Sequence, residues 1–585
     1  MSLLERSVVG TSALLALALL PAPAFAQDGA PQPECADGVV TSIAFDRRAV
    51  FDPASTGFAP LAWTYRTLNL LHVRTTQSFI RRELLFQEGD CFDAFIVAES
   101  ERLLDGYAFL AQAEITDEDD GSEGRRVFVS TRDEWSTKMD LGMTYDAGPH
   151  IERFEVTEEN FVGQGIFAEY TFRERRETKT QAFRLATPRF FGRADASIAW
   201  GKSRPGQLID EYVRYPFIGE TSSFSMRQGY RRGTDYFAYA TDGSEPFDQV
   251  LVPAYRQLME LSAAWRIGEP QSSFILGATL THDVSRFPRV PEVTYGGDFD
   301  AAEPWVGALP PSLERQLVET GATRLGLHLG TRRYRFVEYE GLDGVRDRQF
   351  VSLGLFAGVT VGRGFDVFLP IGLDGASDSH ARAHTSFGIP IGSSILHGGV
   401  TAEARRDGGH WRDALFDGDL VAYLRNDDLA SHTLFLRASA AGGWQTMLPY
   451  QLSLGGRDGV RGLAEDRYPG GRMLRFVAED RIVLPWPRQE ADLGVTLFSD
   501  VGRVWPGDVP YGVDSGWQLG VGFGLRIGLP AGTRNIWRTD IVFPVGPSRG
   551  DPVFRVTFEL NRLRNGFFTA DVRRSRRLDL GPDHF

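Results

Sequence analysis

The stretch that decides the fold is Trp517-Gln518-Leu519-Gly520-Val521-Gly522-Phe523-Gly524-Leu525-Arg526-Ile527-Gly528-Leu529. Every odd position is large and apolar, and every even position is Gln, Gly or Arg. A period of two is that of a β-strand, whose successive side chains point to opposite faces. One apolar face backed by a small or polar one is the pattern of a strand between lipid and a polar lumen. The alternation recurs at Met139, Leu141, Met143 and Tyr145, at Ala194, Ala196, Ile198 and Trp200, at Phe274, Leu276, Ala278 and Leu280, and at Leu325, Leu327 and Leu329. Gly, Pro, Asp and Arg gather between these runs, as turns require. A soluble β-sandwich also alternates, but so many strands with one apolar face and no helices would make an unusually large soluble sheet. Open edges are not tolerated in lipid, so a membrane sheet has to close. Ser136 to Phe585 is 450 residues. At about 28 residues per strand and loop this predicts roughly 16 strands, an even number as such barrels require. The expected fold class is mainly β: a transmembrane antiparallel β-barrel.

Residues 36–135 have another texture and predict a small α+β domain. Val39 to Phe51 reads as a strand, and Leu61, Tyr65, Leu68 and Leu71 recur at helical spacing. Thr75 and Thr76 stand where a second helix needs a cap, and Asp93 where a third does. Phe109 to Thr116 and Arg125 to Thr131 read as two further strands.

At the N-terminus, Arg6, the apolar run Ser12 to Leu20 and Ala24-Phe25-Ala26 read as a signal peptide cleaved before Gln27. A membrane anchor or a buried helix is the other reading, and the run is short for a span. The expected organisation is signal peptide 1–26, flexible segment 27–35, small domain 36–135, barrel 136–567 and basic tail 568–585. The net charge of −14 argues against a nucleic-acid partner, which usually meets a basic face. Cys35 and Cys91 show no metal spacing. Export makes a disulfide between them possible, two free thiols being the alternative. No G-x-S-x-G, Walker loop or H-E-x-x-H occurs. Neither an enzyme nor a cofactor is expected.

Late in the chain stand Gly455-Gly456-Arg457-Asp458-Gly459-Val460-Arg461-Gly462-Leu463, then Glu479-Asp480-Arg481, then Phe498-Ser499-Asp500-Val501-Gly502. These resemble the BamA/TamA outer-membrane assembly and translocation superfamily, also called the bacterial surface antigen family. Its marks are a V-R-G-[YFL] tip on the sixth extracellular loop and an F-x-D-x-G strand. Residues 36–135 are similar to its β-α-α-β-β POTRA module, through Ile80 to Asp90 and Glu99 to Ala113. Asn160 to Gly165 resembles the segment that opens an early barrel strand. Together these cover nearly all of the mature chain. Three features depart from the pattern: room for one POTRA-like domain only, an inserted helical stretch Ala59 to His72, and the tail arginines Arg573, Arg574, Arg576 and Arg577 after the last clear strand.

Parity puts Glu479 and Arg481 on one face of their strand, and Phe498 and Asp500 on one face of the next. Glu479 and Asp500 are expected to face the lumen, where a loop folded inward brings Arg461 to them. The residues alone favour three solvated lumen charges; the resemblance favours the pairing, in which guanidinium and carboxylate meet two-pronged. Asp480 falls on the lipid face, which places it near the rim or implies a register slip. The candidate site is therefore Gly459, Val460, Arg461, Gly462, Leu463, Glu479, Phe498, Asp500 and Gly502, with Cys35 and Cys91 as a separate pair and no metal ligands. The resemblance implies a protein of the bacterial outer membrane with its N-terminal domain in the periplasm. It would assist insertion or translocation of other proteins, with client strands captured by the POTRA-like domain and the barrel seam. Dedicated export of one secreted substrate and a passive pore are the alternatives. Partners would be outer-membrane lipid, unfolded barrel or secreted clients, and a periplasmic protein at the POTRA-like domain.

Overall fold

The chain's first strand, β1 (Val39–Arg48), is followed by helices α1 (Ala59–Leu71), α2 (Gln77–Glu83) and α3 (Ala94–Asp105), then by β2 (Leu110–Asp119) and β3 (Gly124–Asp133). These elements come from a computed structural model, which describes residues 35–559 except 55, 57–58, 122–123, 146–148, 175–178, 296–297, 368–374, 376, 427–428, 430, 457–458, 465 and 488–489. The expected signal peptide and basic tail lie outside the described residues.

The three strands form a sheet in the order β1-β3-β2, with β1 parallel and β2 antiparallel to β3. Val40, Ile43, Phe79, Ile80, Leu104, Leu110, Val127 and Val129 fill the space between sheet and helices. The Thr76 side chain accepts from Phe79 N–H, and that of Asp93 from Phe95 and Ile96 N–H, so both helices start where a side chain satisfies their first free amides. Helix α1 packs apart from this core, with Tyr65 against Val50 and Phe51.

From Thr137 onward the chain forms one large antiparallel sheet curled into a barrel. Twenty-two described strands follow one another in its order. Two of them, Glu292–Tyr295 and Asp298–Pro304, form a short hairpin beside a wall that is continuous without them, because Ser272–Arg286 pairs directly with Thr320–Glu340. The expectation of roughly 16 strands is too low. It assumed an even share of chain per strand. The early strands are instead short, nine residues in Ile166–Glu174, Ala194–Lys202 and Gln207–Tyr215, and the turns between them are tight.

The order brings the last strand, Val553–Glu559, round to the first, Thr137–Tyr145, as a closing sheet requires. Each is laddered to its neighbour on the other side.

The wall has the reverse polarity of a soluble protein. Along Thr320–Glu340, Leu325, Leu327 and Leu329 are 53–56% exposed, while the intervening Arg324 and His328 are 1% and 5% exposed. Leaving such leucines in water would cost roughly 1.5–3 kcal/mol each, so this outward face is built for an apolar surround. No described helix is long and apolar enough to cross a membrane.

The N-terminal unit sits against one mouth of the barrel. Gly163 O, in the turn Val162 to Gly165, accepts from Thr76 N–H at 2.9 Å, and Asn160 Nδ2 donates to Thr75 at 2.8 Å. Arg189 grips Glu83 two-pronged at 2.6 and 2.8 Å. Glu220 N–H donates to Glu99 at 2.6 Å. On the other side of the first and last strands, Arg132 donates to Ala531 O at 3.0 Å, and Arg534 pairs with Asp105. The unit thus straddles the junction between the two ends of the sheet.

Candidate functional site

The strands Arg472–Val483, Asp492–Trp505, Gln518–Gly528 and Ile536–Val545 pair in sequence, so their inward rows form one patch of lumen wall. Period two puts Glu479 and Arg481 on the first row, Phe498 and Asp500 on the second, Gly520 and Gly522 on the third, and Arg538 and Asp540 on the fourth. Glu479, Asp500 and Asp540 are each 1–2% exposed. Three carboxylates so close require cations.

Arg461 supplies one. It comes from the long segment between His432–Trp444 and Arg472–Val483, which folds into the lumen. Its Nε and Nη2 donate to Asp500 at 2.6 and 2.5 Å, and its own backbone N–H reaches the same carboxylate at 3.0 Å. Nη1 lies 2.9 Å from Glu479 and 3.6 Å from Asp540. The guanidinium also lies over the Phe498 ring, 3.6 Å from its centroid, a cation–π contact. Arg538 and Arg481 complete the set. Arg538 donates to Glu479 at 3.2 Å and to Asp540 at 2.8 Å, and Arg481 to Glu479 at 3.1 Å. Three guanidiniums thus face three carboxylates.

The rest of the loop tip is shaped to the wall. Val460 is fully buried with Leu454, Leu452 and Tyr450, and Leu463 packs at the edge of that cluster. Gly502 leaves room for it: a Cβ there would stand 2.8 Å from both Leu454 and Val460 side-chain atoms. Gly459 O accepts from Arg475 at 3.0 Å. Gly462 adopts φ +92°, a left-handed backbone that side chains rarely take, and lies against Val542 and Pro544. Arg457 and Asp458 of the motif lie outside the described residues.

The structure therefore brings together Gly459, Val460, Arg461, Gly462, Leu463, Glu479, Phe498, Asp500 and Gly502. Sequence reading missed Arg538 and Asp540. It also missed the use of the glycine face of Trp517 to Leu529: a Cβ at Gly520 would run into the Arg461 carbonyl, and one at Gly522 or Gly524 into Phe498 or Asp540, so the bare stripe makes room for the loop tip and the side chains that hold it. Asp480 does point outward, three residues from the end of its strand, and pairs with His432 at 3.0 Å, so its register is sound and its place is near the rim. Cys35 and Cys91 are bonded, Cα to Cα 5.1 Å apart, and so tie the start of the first unit to the segment before α3.

A second segment enters from the other mouth. The turn Gly341 to Asp347 buries Leu342 and Val345 completely or nearly so. Arg481 donates to Leu342 O at 2.7 Å, Tyr423 OH and Arg481 meet Asp343, and Arg346 pairs with Asp492 at 2.7 Å. Arg481 thus joins this turn to the carboxylate cluster.

No family model and no curated protein matches the chain. Among solved structures it is similar to BamA from Haemophilus ducreyi lacking POTRA domains 1-3, at 13% identity and TM-score 0.33 over 88% of this chain and 84% of that one. It is also similar to CdiB from Acinetobacter baumannii, at 12% and 0.39 over 89% and 73%. A third likeness is to CdiB from Escherichia coli, at 11% and 0.33 over 95% and 98%.

Proposed function

We propose that this protein is an exported barrel of the bacterial outer membrane, with its N-terminal unit in the periplasm, that assists insertion or translocation of other proteins. The observation that carries the reading is the inward loop held by Arg461 against Glu479 and Asp500, on the strands leading to the junction beneath which the N-terminal unit sits. The six-charge cluster holds the loop in one position, and its release would supply the second position that gating needs. The first and last strands meet at this junction, and a strand edge exposed when they part is a template for an added strand. The outer edge of β2 offers the same means of capture in the periplasm, whereas the start of β1 is already bridged to Cys91.

A passive pore fits less well, because the loop and the Gly341 to Asp347 turn both occupy the lumen. Dedicated export of a single substrate uses the same parts. Depletion of the protein followed by quantification of the outer-membrane proteome separates the readings. Broad loss of barrel proteins is expected; loss of one secreted protein would replace this reading by dedicated export, and no change by the passive pore.

A further inference from the structure

The inserted helix α1 has two apolar faces, and the fold uses one. Leu61, Tyr65 and Leu68 pack on Val50, Phe51 and Trp135. The opposite side leaves Trp63, Leu70, Leu71 and Val73 at 67%, 86%, 73% and 55% exposure. Arg66 and Arg74 are exposed among them, and Ala59 to Arg74 contains no Asp or Glu, in a chain of net charge −14. Apolar side chains flanked by arginines without acids are the composition of a helix lying at a lipid surface.

Position agrees with composition. Tyr65 OH donates to Glu490 O at 3.2 Å, which fixes the helix to the turn after Arg472–Val483. That turn carries Trp486, 77% exposed. Three residues past Glu490, Leu493 begins the outward apolar row that continues through Val495 to Leu497, so the helix is tethered roughly 10 Å along the chain from the barrel's apolar belt. Tryptophans collect at this level of a membrane protein, ring in the hydrocarbon margin and N–H toward water.

We propose that α1 and Trp486 form an interfacial foot, seated in the headgroup layer of the periplasmic leaflet, with Arg66 and Arg74 meeting lipid phosphates. The foot continues the barrel's belt and fixes the N-terminal unit at the membrane surface. This inference rests on the membrane reading above, and its test keeps the two apart. The full chain is reconstituted in phosphatidylethanolamine–phosphatidylglycerol vesicles containing lipids spin-labelled near the headgroup. A fluorophore is placed on Leu70→Cys, on Leu497→Cys in the belt, or on Glu114→Cys on the exposed side of β2. Quenching of at least about twofold is expected at Leu70 and Leu497, against little at Glu114. Quenching at Leu497 with none at Leu70 overturns the foot and leaves the barrel reading standing. If the Leu70 probe is then also shielded from aqueous iodide, a protein covers the helix instead. No quenching at Leu497 overturns both.

Discussion

The middle of the barrel wall and its two ends are built differently. Gln249–Glu269 and Thr320–Glu340 are 21 residues long, and each is laddered along most of its length to the strands beside it. The described parts of the end strands, Thr137–Tyr145 and Val553–Glu559, are nine and seven residues, and the first carries a register shift between Gly142 and Met143. In lipid a backbone bond has no water to replace it, so ladder length sets the cost of parting two strands. The middle supports itself. The ends depend on side chains: the Arg461 cluster braces the four strands before the last, and the N-terminal unit grips turns on both sides of the junction. On the proposed function, a wall that is secure in the middle and braced by side chains at its ends is expected to part at the ends.

The largest effect expected of a single substitution is at Arg461. Arg461→Ala strands Asp500 as a buried charge and leaves Glu479 to Arg481 and Arg538, a loss of about 3–5 kcal/mol. Hydrogen exchange should quicken in Arg472–Val483 and Ile536–Val545 and stay unchanged in Gln249–Glu269. Equal quickening in both regions would break the contrast. Pairing also demands that Arg461→Ala and Asp500→Ala be non-additive, and additive losses in stability and activity would refute it. A smaller loss, about 1–3 kcal/mol by overpacking, is expected for Gly520→Ala, which leaves every charge in place and lifts the loop from its groove. Protease should then cut the loop sooner. A loop as resistant as in the parent chain would show that the groove is not its seat. Smallest is Thr76→Ala, which removes the cap of α2 and an acceptor for Gln164, at a cost of about 1 kcal/mol. It should raise exchange in α2 and in the Asn160 to Gly165 turn together; a change in α2 alone would mean that the two are not coupled.

The contrast between these regions was only partly legible in the sequence. Period two places Glu479 and Asp500 inward without any structure, because parity survives every uncertainty about turns. It does not find Arg538 and Asp540. Their strand, Ile536–Val545, also turns Val542 and Pro544 inward against Gly462, so both of its faces carry apolar residues and the alternation blurs. The strand number failed for a related reason: alternation shows that a stretch is strand but not where it turns. The turn Gly341 to Asp347 lies outside the alternating runs, and only its two apolar residues, Leu342 and Val345, mark that it folds inward.

On the proposed function, the junction has to part for the protein to work. Two cross-links test it, each in the full chain with the native Cys35–Cys91 bond as common background. One joins Met143→Cys to a cysteine placed in turn along Val553–Glu559. The other joins Ala263→Cys to Ala278→Cys, directly paired residues in the middle of the wall. Assembly of other outer-membrane proteins should cease with the first link, return on its reduction, and continue with the second. Full assembly with the Met143 link quantitatively formed would contradict the account and leave transport through the lumen, or a passive barrel, in its place.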